Sequence, residues 1–248
     1  MHLLKRIFAR LNVLRVKLRR DSGSLRMTLA LQKRPFSRSM QTPSKGVLFE
    51  AFDGIKLNVG GAKGGHPNVP GWSIVDLRDN ADIQMDITAE RLPFDNDSVD
   101  VIFTSHTLEH IYPQKLDVVL GEFHRVLKSG KSLLRILVPD LDLAIKAYAE
   151  RDEDFFLDGT VGIDYRDVPI AGLLASWLYS TRIFKDPDGK AGLGHVHCFD
   201  AEYMMFRLRR SGFRKVWKSE YRGSALPELR SDAFDRHPHD SLCIEAVK

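Results

Sequence analysis

K-L-N-V-G-G-A-K-G-G, residues 56–65, is the stretch that decides the fold. Its short apolar run, residues 57–59, ends directly in glycines, which is the pattern of a buried parallel strand that enters a tight turn. Glycine allows a positive φ in such a turn and lets the backbone approach a ligand closely, because it has no Cβ atom. Backbone N–H groups left free in a turn of this kind suit a carboxylate or a phosphate.

A second apolar run, residues 72–75, ends in Asp76. An acidic residue at the tip of the second strand of a nucleotide-binding α/β fold accepts hydrogen bonds from the ribose hydroxyls. A glycine turn alone is a weak signal, because most such turns bind no ligand, so the later segments decide. In chain order these are L-P-F at 92–94, V-D-V-I-F-T-S-H-T-L-E-H at 99–110, E-F-H-R-V-L-K-S-G-K at 122–131 and L-L-R-I-L-V-P-D at 133–140.

In this order and spacing, the segments resemble class I S-adenosylmethionine-dependent methyltransferases of the type 11 group, over about residues 56–140. The closer resemblance is to a branch that occurs among bacterial polysaccharide and lipopolysaccharide biosynthesis proteins. It implies an α/β fold with three α/β/α layers: a Rossmann-like, seven-stranded, mostly parallel sheet with an antiparallel last strand and an insertion after the fifth strand. It also implies an enzyme whose cofactor is S-adenosylmethionine.

The resemblance assigns cofactor-binding positions, in which Asp86 would receive the exocyclic amine of adenine and Ile87 would contact the ring. Asp86 could equally cap a helix. Ala62 departs from the glycine of the family and demands a negative φ at that position. Residues 63–71 are too rich in Gly and Pro for a helix, so we expect a loop or a single turn there. The assigned positions are Asn58, Gly60, Gly61, Ala62, Asp76, Leu77, Asp86, Ile87 and Ser105.

Candidate catalytic residues follow the next two strands. His106 comes at the end of the strand predicted over residues 99–104 and is a candidate general base, because a histidine titrates near neutral pH. Asp140 follows the strand predicted over 132–138 and is either a second base or a helix cap. His110 is expected to be a structural residue at the turn after the strand.

The acceptor is expected to bind beside the insertion, residues 141–198, because loops at the ligand edge of this fold build pockets and lids. Its aromatic and acidic residues suit a sugar ring. His106 and His110 have zinc-binding spacing, and His195 and His197 alternate in a way that points them to the same side. Because further clear ligands are not evident for either pair, we expect no metal. The predicted substrate contacts are Glu109, Tyr165, His195 and His197.

Charge divides the chain into an extension, residues 1–46, and a methyltransferase domain, residues 47–248. The extension has 12 Lys or Arg residues and one acid, whereas the rest has 25 basic and 32 acidic residues. Residues 2–20 are predicted to form a basic amphipathic helix, which would lie on an anionic membrane surface, target the chain to mitochondria or pack on the domain. Residues 21–46 are predicted to be a connector. Two cysteines fit a reducing compartment.

The predicted reaction is methyl transfer from S-adenosylmethionine to a sugar hydroxyl of a glycan or glycolipid precursor, an acceptor class implied by resemblance alone. The alternatives are a methyltransferase of a small molecule, protein or RNA, and a non-catalytic scaffold with the same fold. A nicotinamide oxidoreductase is disfavoured because the chain lacks a full G-x-G-x-x-G followed by a helix. The acidic body disfavours nucleic acid. We expect a cytoplasmic protein, either free or at the inner face of the membrane, with a mitochondrial protein as the alternative if the source is eukaryotic.

Overall fold

The computed structural model describes residues 48–61, 69–157, 168–179 and 194–248, together with the backbone of 14–21 and 24–31. The chain forms two compact units, Met1–Met40 and Gln41–Lys248. In the first unit, β1 (Leu14–Asp21) and β2 (Ser24–Leu31) pair as an antiparallel hairpin. None of the helices in the described part of the chain is long and apolar enough to cross a membrane.

The helix predicted over residues 2–20 is wrong where the structure describes it, because residues 14–20 belong to β1. The predicted connector, 21–46, likewise contains β2. The physical reason is visible in the sequence: L-R-V-K-L-R at 14–19 alternates with period two, which favours a strand over a helix. Residues 2–13 lie outside the described part of the chain. The expectation of a membrane surface therefore rests on basic charge alone.

The second unit contains a seven-stranded sheet in the order β5-β4-β3-β6-β7-β9-β8. Strands β3 to β7 are parallel, and β9 runs antiparallel to both of its neighbours. This topology confirms the predicted fold class. The strands are β3 (Ile55–Val59), β4 (Ser73–Asp76), β5 (Ile83–Gln84), β6 (Val99–Ser105), β7 (Leu133–Pro139), β8 (Lys215–Ser219) and β9 (Ser241–Val247).

Helices cover the sheet and form the insertion after β7. The first helix packs on the sheet through a buried stripe at helical spacing, which includes Leu116, Leu120 and Phe123. It ends at Val126, and Gly130, in the turn before β7, has a φ of +72°. The helices are α1 (Pro113–Val126), α2 (Leu141–Glu150), α3 (Glu153–Leu157), α4 (Ile170–Tyr179) and α5 (Ala201–Arg210).

A fully buried ionic cluster crosses one face of the sheet. Arg135 on β7 donates to both carboxylate oxygens of Asp235, at 3.1 and 2.6 Å, and to Oε1 of Glu245 on β9 at 3.1 Å. Asp235 also accepts from the backbone N–H of Arg222. The hydroxyl and backbone N–H groups around Ser224 complete the shell of Glu245. Every charge in this cluster therefore has hydrogen-bonded partners, as buried charges require.

Candidate active site

Three parallel strands end side by side at the edge where α/β folds bind ligands. Val59 on β3 pairs with Val75 on β4 and with Thr104 on β6. The next residue of each strand is therefore Gly60, Asp76 or Ser105, and adjacent strands lie about 4.8 Å apart. The structure thus brings together three of the residues that the sequence assigned to the cofactor.

The glycine turn after β3 is tightly packed against the side chains of Thr107 and Asn58. Gly60 has a φ of +80°, and a Cβ atom there would collide with Oγ1 of Thr107. A Cβ atom at Gly61 would collide with the side chain of Asn58, which is buried. Asn58 therefore supports the turn from within the fold. Ala62 and most of the segment predicted as a loop, 63–71, lie outside the described residues, while Val69 and Trp72 close a turn through an N–H···O bond of 3.1 Å.

The residues that the resemblance assigns to the ribose and adenine lie at or just after the ends of β4 and β5. Oδ1 of Asp76 accepts the backbone N–H of Arg78 at 3.1 Å, and the neighbouring Leu77 is 57% exposed. Asp86 accepts from the backbone N–H and the hydroxyl of Thr88, and a turn follows it, so the alternative of a helix cap is wrong. Ile87 is half-buried against the main core. This edge can hold a nucleoside between a carboxylate and an exposed apolar side chain.

His106 stands at the end of β6 with its imidazole held from several sides. Its φ is +49°, in the left-handed region. Nε2 lies 2.8 Å from Oγ of Ser241, and the ring centroid lies 4.1 Å from that of His237. Nδ1 lies 3.5 Å from Oε1 of Glu109. Ser241 and His237 reach this edge because β9 is antiparallel and begins beside Pro139, where β7 ends.

Glu109 is a buried carboxylate surrounded by imidazoles. The residue is 1% exposed, and neither carboxylate oxygen accepts a hydrogen bond within the described ranges of the chain. Besides His106, Nε2 of His110 and Nε2 of His195 each lie 3.9 Å from Oε1. Burial raises the pKa of the Glu109 carboxyl from its usual value of 4.5 to about 8. The sequence predicted that Glu109 contacts the substrate. A carboxyl group at this depth is poorly placed for direct contact with a large substrate.

His110 lies beside Glu109 and His195, and the structural role at the turn that the sequence suggested stays a prediction. Its Nδ1 lies 3.2 Å from the carbonyl oxygen of Gly194, and its ring lies 5.0 Å from that of His195. The ligand atoms of Glu109, His110 and His195 all lie within 4.8 Å of one another, and so do those of a second group, His106, His237 and Asp240.

His197 and His195 have different neighbours, since His195 lies beside Glu109 and His110 whereas His197 lies against Phe199 and Tyr203. Nε2 of His197 lies 3.1 Å from the hydroxyl of Tyr203 on α5, and burial lowers the pKa of this imidazole. The reason is local: the N–H groups of Val196 and His197 both donate to the carbonyl of Glu109, so this segment does not alternate like a strand. Tyr165 lies outside the described residues.

Asp140 caps α2. Its Oδ1 accepts the backbone N–H of Asp142 at 3.1 Å, and its Oδ2 accepts from Nζ of Lys218 at 3.2 Å. The residue is 2% exposed. The cap that the sequence left open is therefore formed, and catalysis by Asp140 stays a prediction that these contacts do not favour.

Residues 75–134 match the family described as a methyltransferase domain. No curated protein matches the chain. Solved structures with a similar fold include a SAM-dependent methyltransferase from Archaeoglobus fulgidus, which is 14% identical over 78% of this chain and 85% of its own, with a TM-score of 0.44. PigF with SAH is 14% identical over 78% of this chain and 56% of its own (TM-score 0.42). The DhpI–SAH complex is 11% identical over 78% of this chain and 76% of its own, with a TM-score of 0.43.

All three TM-scores are below 0.5, and the assignment rests on the family match and the strand order. The match spans β6, α1 and the connecting residues that form the candidate site. Together with the sheet order, it supports an S-adenosylmethionine-dependent methyltransferase with S-adenosylmethionine as its cofactor. The residues present fit that cofactor, because a positive-φ glycine turn, a strand-end carboxylate and an exposed apolar side chain follow one another along the edge.

Proposed function

We propose that this methyltransferase transfers the methyl group of S-adenosylmethionine to a hydroxyl oxygen of a sugar, on a glycan or glycolipid precursor. The observation that carries the hydroxyl acceptor is the placement of His106. Its imidazole lies at the end of β6, directly after Ser105 and two strands from Asp76. A hydroxyl is a poor nucleophile until a base takes its proton, and histidine is the side chain best suited to that role near neutral pH.

The cofactor, when bound, supplies an electrophilic methyl group on a sulfonium sulfur. On the protein side, the carboxylate of Asp76 accepts hydrogen bonds from the ribose hydroxyls, and the turn at Gly60 lets the backbone approach the ligand. Nε2 of His106 receives the proton of the acceptor hydroxyl by way of Oγ of Ser241, which lies 2.8 Å from that nitrogen and passes its own proton on as it takes the acceptor's. The remaining contribution is positioning, because a bound acceptor reacts within one complex rather than by collision.

Two exposed tyrosines beside the site favour a sugar among hydroxyl acceptors. Tyr112 follows His110 by two residues and is 64% exposed. Tyr179 at the end of α4 is 62% exposed, and its carbonyl accepts the backbone N–H of His195 at 3.0 Å. A tyrosine ring offers an apolar face and a polar tip, which suits a ligand with C–H and O–H groups on one surface.

Two steps test the proposal. S-adenosylhomocysteine is first titrated into the purified protein by calorimetry, and labelled S-adenosylmethionine is then offered with a panel of glycans and glycolipid precursors. The decisive variant is His106→Asn, because asparagine tolerates a positive φ but cannot act as a base. We expect product formation to fall by on the order of 100-fold while S-adenosylhomocysteine affinity stays within threefold. His239→Asn, in the loop before β9, is the matched control and should leave both measurements unchanged.

Other outcomes would reassign the function. Methyl transfer to a small molecule, a protein or an RNA, with none to the glycan panel, would overturn the sugar acceptor and leave the enzyme class. If His106→Asn retained full activity, the base would have to be another group. Absence of binding to either form of the cofactor would favour a non-catalytic scaffold.

A further inference from the structure

A carboxylate and two imidazoles lie close together beside His106, the proposed base. Glu109 and His110 lie in the turn after β6, and His195 lies at the end of the insertion. We propose that these three residues bind one divalent transition-metal ion of the zinc class. The site would use Oε1 or Oε2 of the glutamate and Nε2 of each histidine.

The carboxylate supplies the first argument. Glu109 is 1% exposed, yet neither of its oxygens accepts a hydrogen bond among the described residues. Buried carboxyl groups in proteins are normally hydrogen-bonded, paired with a cation or bound to a metal, because a buried polar group without a partner costs free energy whether it is charged or neutral. The Arg135 cluster of the same domain obeys this rule in full. A bound cation would satisfy Glu109 in the same way.

The tautomer of His110 supplies the second argument. Its Nδ1 lies 3.2 Å from the carbonyl oxygen of Gly194, and a carbonyl can only accept, so Nδ1 carries the proton. The lone pair is then on Nε2, which is the atom that faces Glu109. Metal-ligating histidines almost always donate their other ring N–H to a carbonyl or a carboxylate in this manner.

The backbone fixes the two segments against each other. The N–H groups of Val196 and His197 donate to the carbonyl of Glu109 at 2.9 and 3.1 Å, and the N–H of His195 donates to Tyr179. The two nitrogen–oxygen distances are 3.9 Å. Tetrahedral zinc with bonds of about 2.1 Å holds its ligand atoms about 3.4 Å apart. Each pair therefore needs to close by about 0.5 Å, which side-chain rotation alone can provide.

The donor set selects the class of ion. Two imidazoles and one carboxylate suit zinc, iron, cobalt and nickel, whereas calcium and magnesium prefer oxygen ligands throughout. Three protein ligands leave a coordination position open. If the proposed function holds, an oxygen of the acceptor can take that position, which would orient it beside His106.

The second group of possible ligands, His106, His237 and Asp240, provides the control. Nε2 of His106 lies 2.8 Å from Oγ of Ser241, the ring of His237 is tilted by 42° against that of His106, and His237 is exposed. A substitution at His237 removes a histidine within the same edge of the sheet and leaves the three proposed ligands intact. It therefore distinguishes the proposed site from general binding to surface histidines.

The test uses the full chain, stripped of metal with a chelator and titrated with Co²⁺, whose visible absorption reports coordination by nitrogen and oxygen ligands. Zn²⁺ is then added as a competitor. We expect one equivalent of Co²⁺ to bind and Zn²⁺ to displace it. Glu109→Gln, His110→Ala and His195→Ala should each weaken binding by on the order of 100-fold, and His237→Ala should change it less than threefold. Thermal melting of each variant verifies that the chain is folded.

Two results would overturn the site: no cobalt spectrum in the wild-type protein, or equal binding in the wild type and in Glu109→Gln. S-adenosylhomocysteine titrations of the same samples keep this outcome separate from the proposed function. A protein that binds S-adenosylhomocysteine without cobalt refutes the metal site alone, whereas one that binds cobalt without S-adenosylhomocysteine refutes the methyltransferase function alone.

Discussion

Two groups of buried ionisable side chains lie in one domain and differ in how their polar atoms are paired. Around Arg135, both carboxylates accept several hydrogen bonds, and the ions have no exposed surface. Around Glu109, the carboxylate is as deeply buried but accepts no hydrogen bond from the described residues, and the nearest nitrogens stay 3.5 to 3.9 Å away.

This difference in hydrogen bonding distinguishes a cluster that stabilises the fold from one that we assign to the candidate site. A satisfied cluster holds its elements together and needs nothing from outside. An unsatisfied one costs free energy in the folded protein, which is a pattern that proteins tolerate at functional sites. The first cluster joins β7, β9 and the loop after β8, whereas the second lies at the ligand edge. Mutation of each should therefore affect different quantities.

The largest effect is expected at Asp235. Asp235→Ala leaves the guanidinium of Arg135 buried without its two shortest carboxylate contacts, which should lower the free energy of unfolding by about 3–5 kcal/mol. Urea denaturation measures this loss. Asp95→Ala removes an exposed carboxylate and should cost less than about 0.5 kcal/mol. A loss below 1 kcal/mol in Asp235→Ala would contradict the structural role of the cluster.

Glu109→Gln should have the opposite effect on stability, and only at high pH. Because the folded pKa of about 8 exceeds the usual 4.5, the native protein binds more protons than the unfolded chain between these values. Wild-type stability therefore falls as the pH rises through this window. With chelator present, the variant should lie within about 1 kcal/mol of the wild type near pH 5 and exceed it by about 4–5 kcal/mol at pH 9, since 3.5 pKa units at about 1.36 kcal/mol each are lost by the wild type. Parallel unfolding curves at all pH values would refute the raised pKa.

Asp76→Ala tests whether the cofactor edge is independent of both clusters. Loss of hydrogen bonds from two ribose hydroxyls to a carboxylate should weaken S-adenosylhomocysteine binding by about 10- to 100-fold. Calorimetry gives the affinity, and Asp79→Ala, in the exposed turn after β4, is the matched control. Co²⁺ binding should not change in either variant. An unaltered affinity in Asp76→Ala would show that Asp76 does not bind the ribose of the cofactor.

The smallest effect is expected at Asp140, because its carboxylate is hydrogen-bonded but only by a helix N–H and a half-exposed lysine. Asn caps helices as well as Asp does, so Asp140→Asn should keep the cap and lose only the pair with half-exposed Lys218, at a cost below about 1 kcal/mol. Asp140→Ala also loses the cap and should cost about 1–2 kcal/mol. Equal losses in the two variants, measured by urea denaturation, would show that the cap is unimportant.

Much of the sheet was predictable because its signals are local. The runs that became β3, β6 and β7 are apolar and end in Gly, Ser-His or Pro-Asp, so both the strand and the ligand edge could be placed from neighbouring residues. The same argument identified Gly60, Asp76, His106 and Glu109 as residues of that edge. Two-residue β5 is too short for any periodicity.

The rest depended on contacts between distant residues. Arg135 meets Asp235 at a separation of 100 residues, and a lone Arg in an apolar strand gives no indication of its partner. His237 belongs to a polar loop with no motif of its own, but the antiparallel last strand that follows this loop must begin at the ligand edge. That rule, applied to H-P-H at 237–239, was the one signal that could have placed His237 in the site.

The position of β9 has a consequence for the order of synthesis. It is the last strand of the sheet to leave the ribosome, yet it lies between β7 and β8. Until it is made, β7 presents an open edge, Arg135 has no Glu245 and His106 has no Ser241. A nascent chain therefore cannot complete its core before its site, or its site before its core. The core and the candidate site therefore both depend on β9 for their completion.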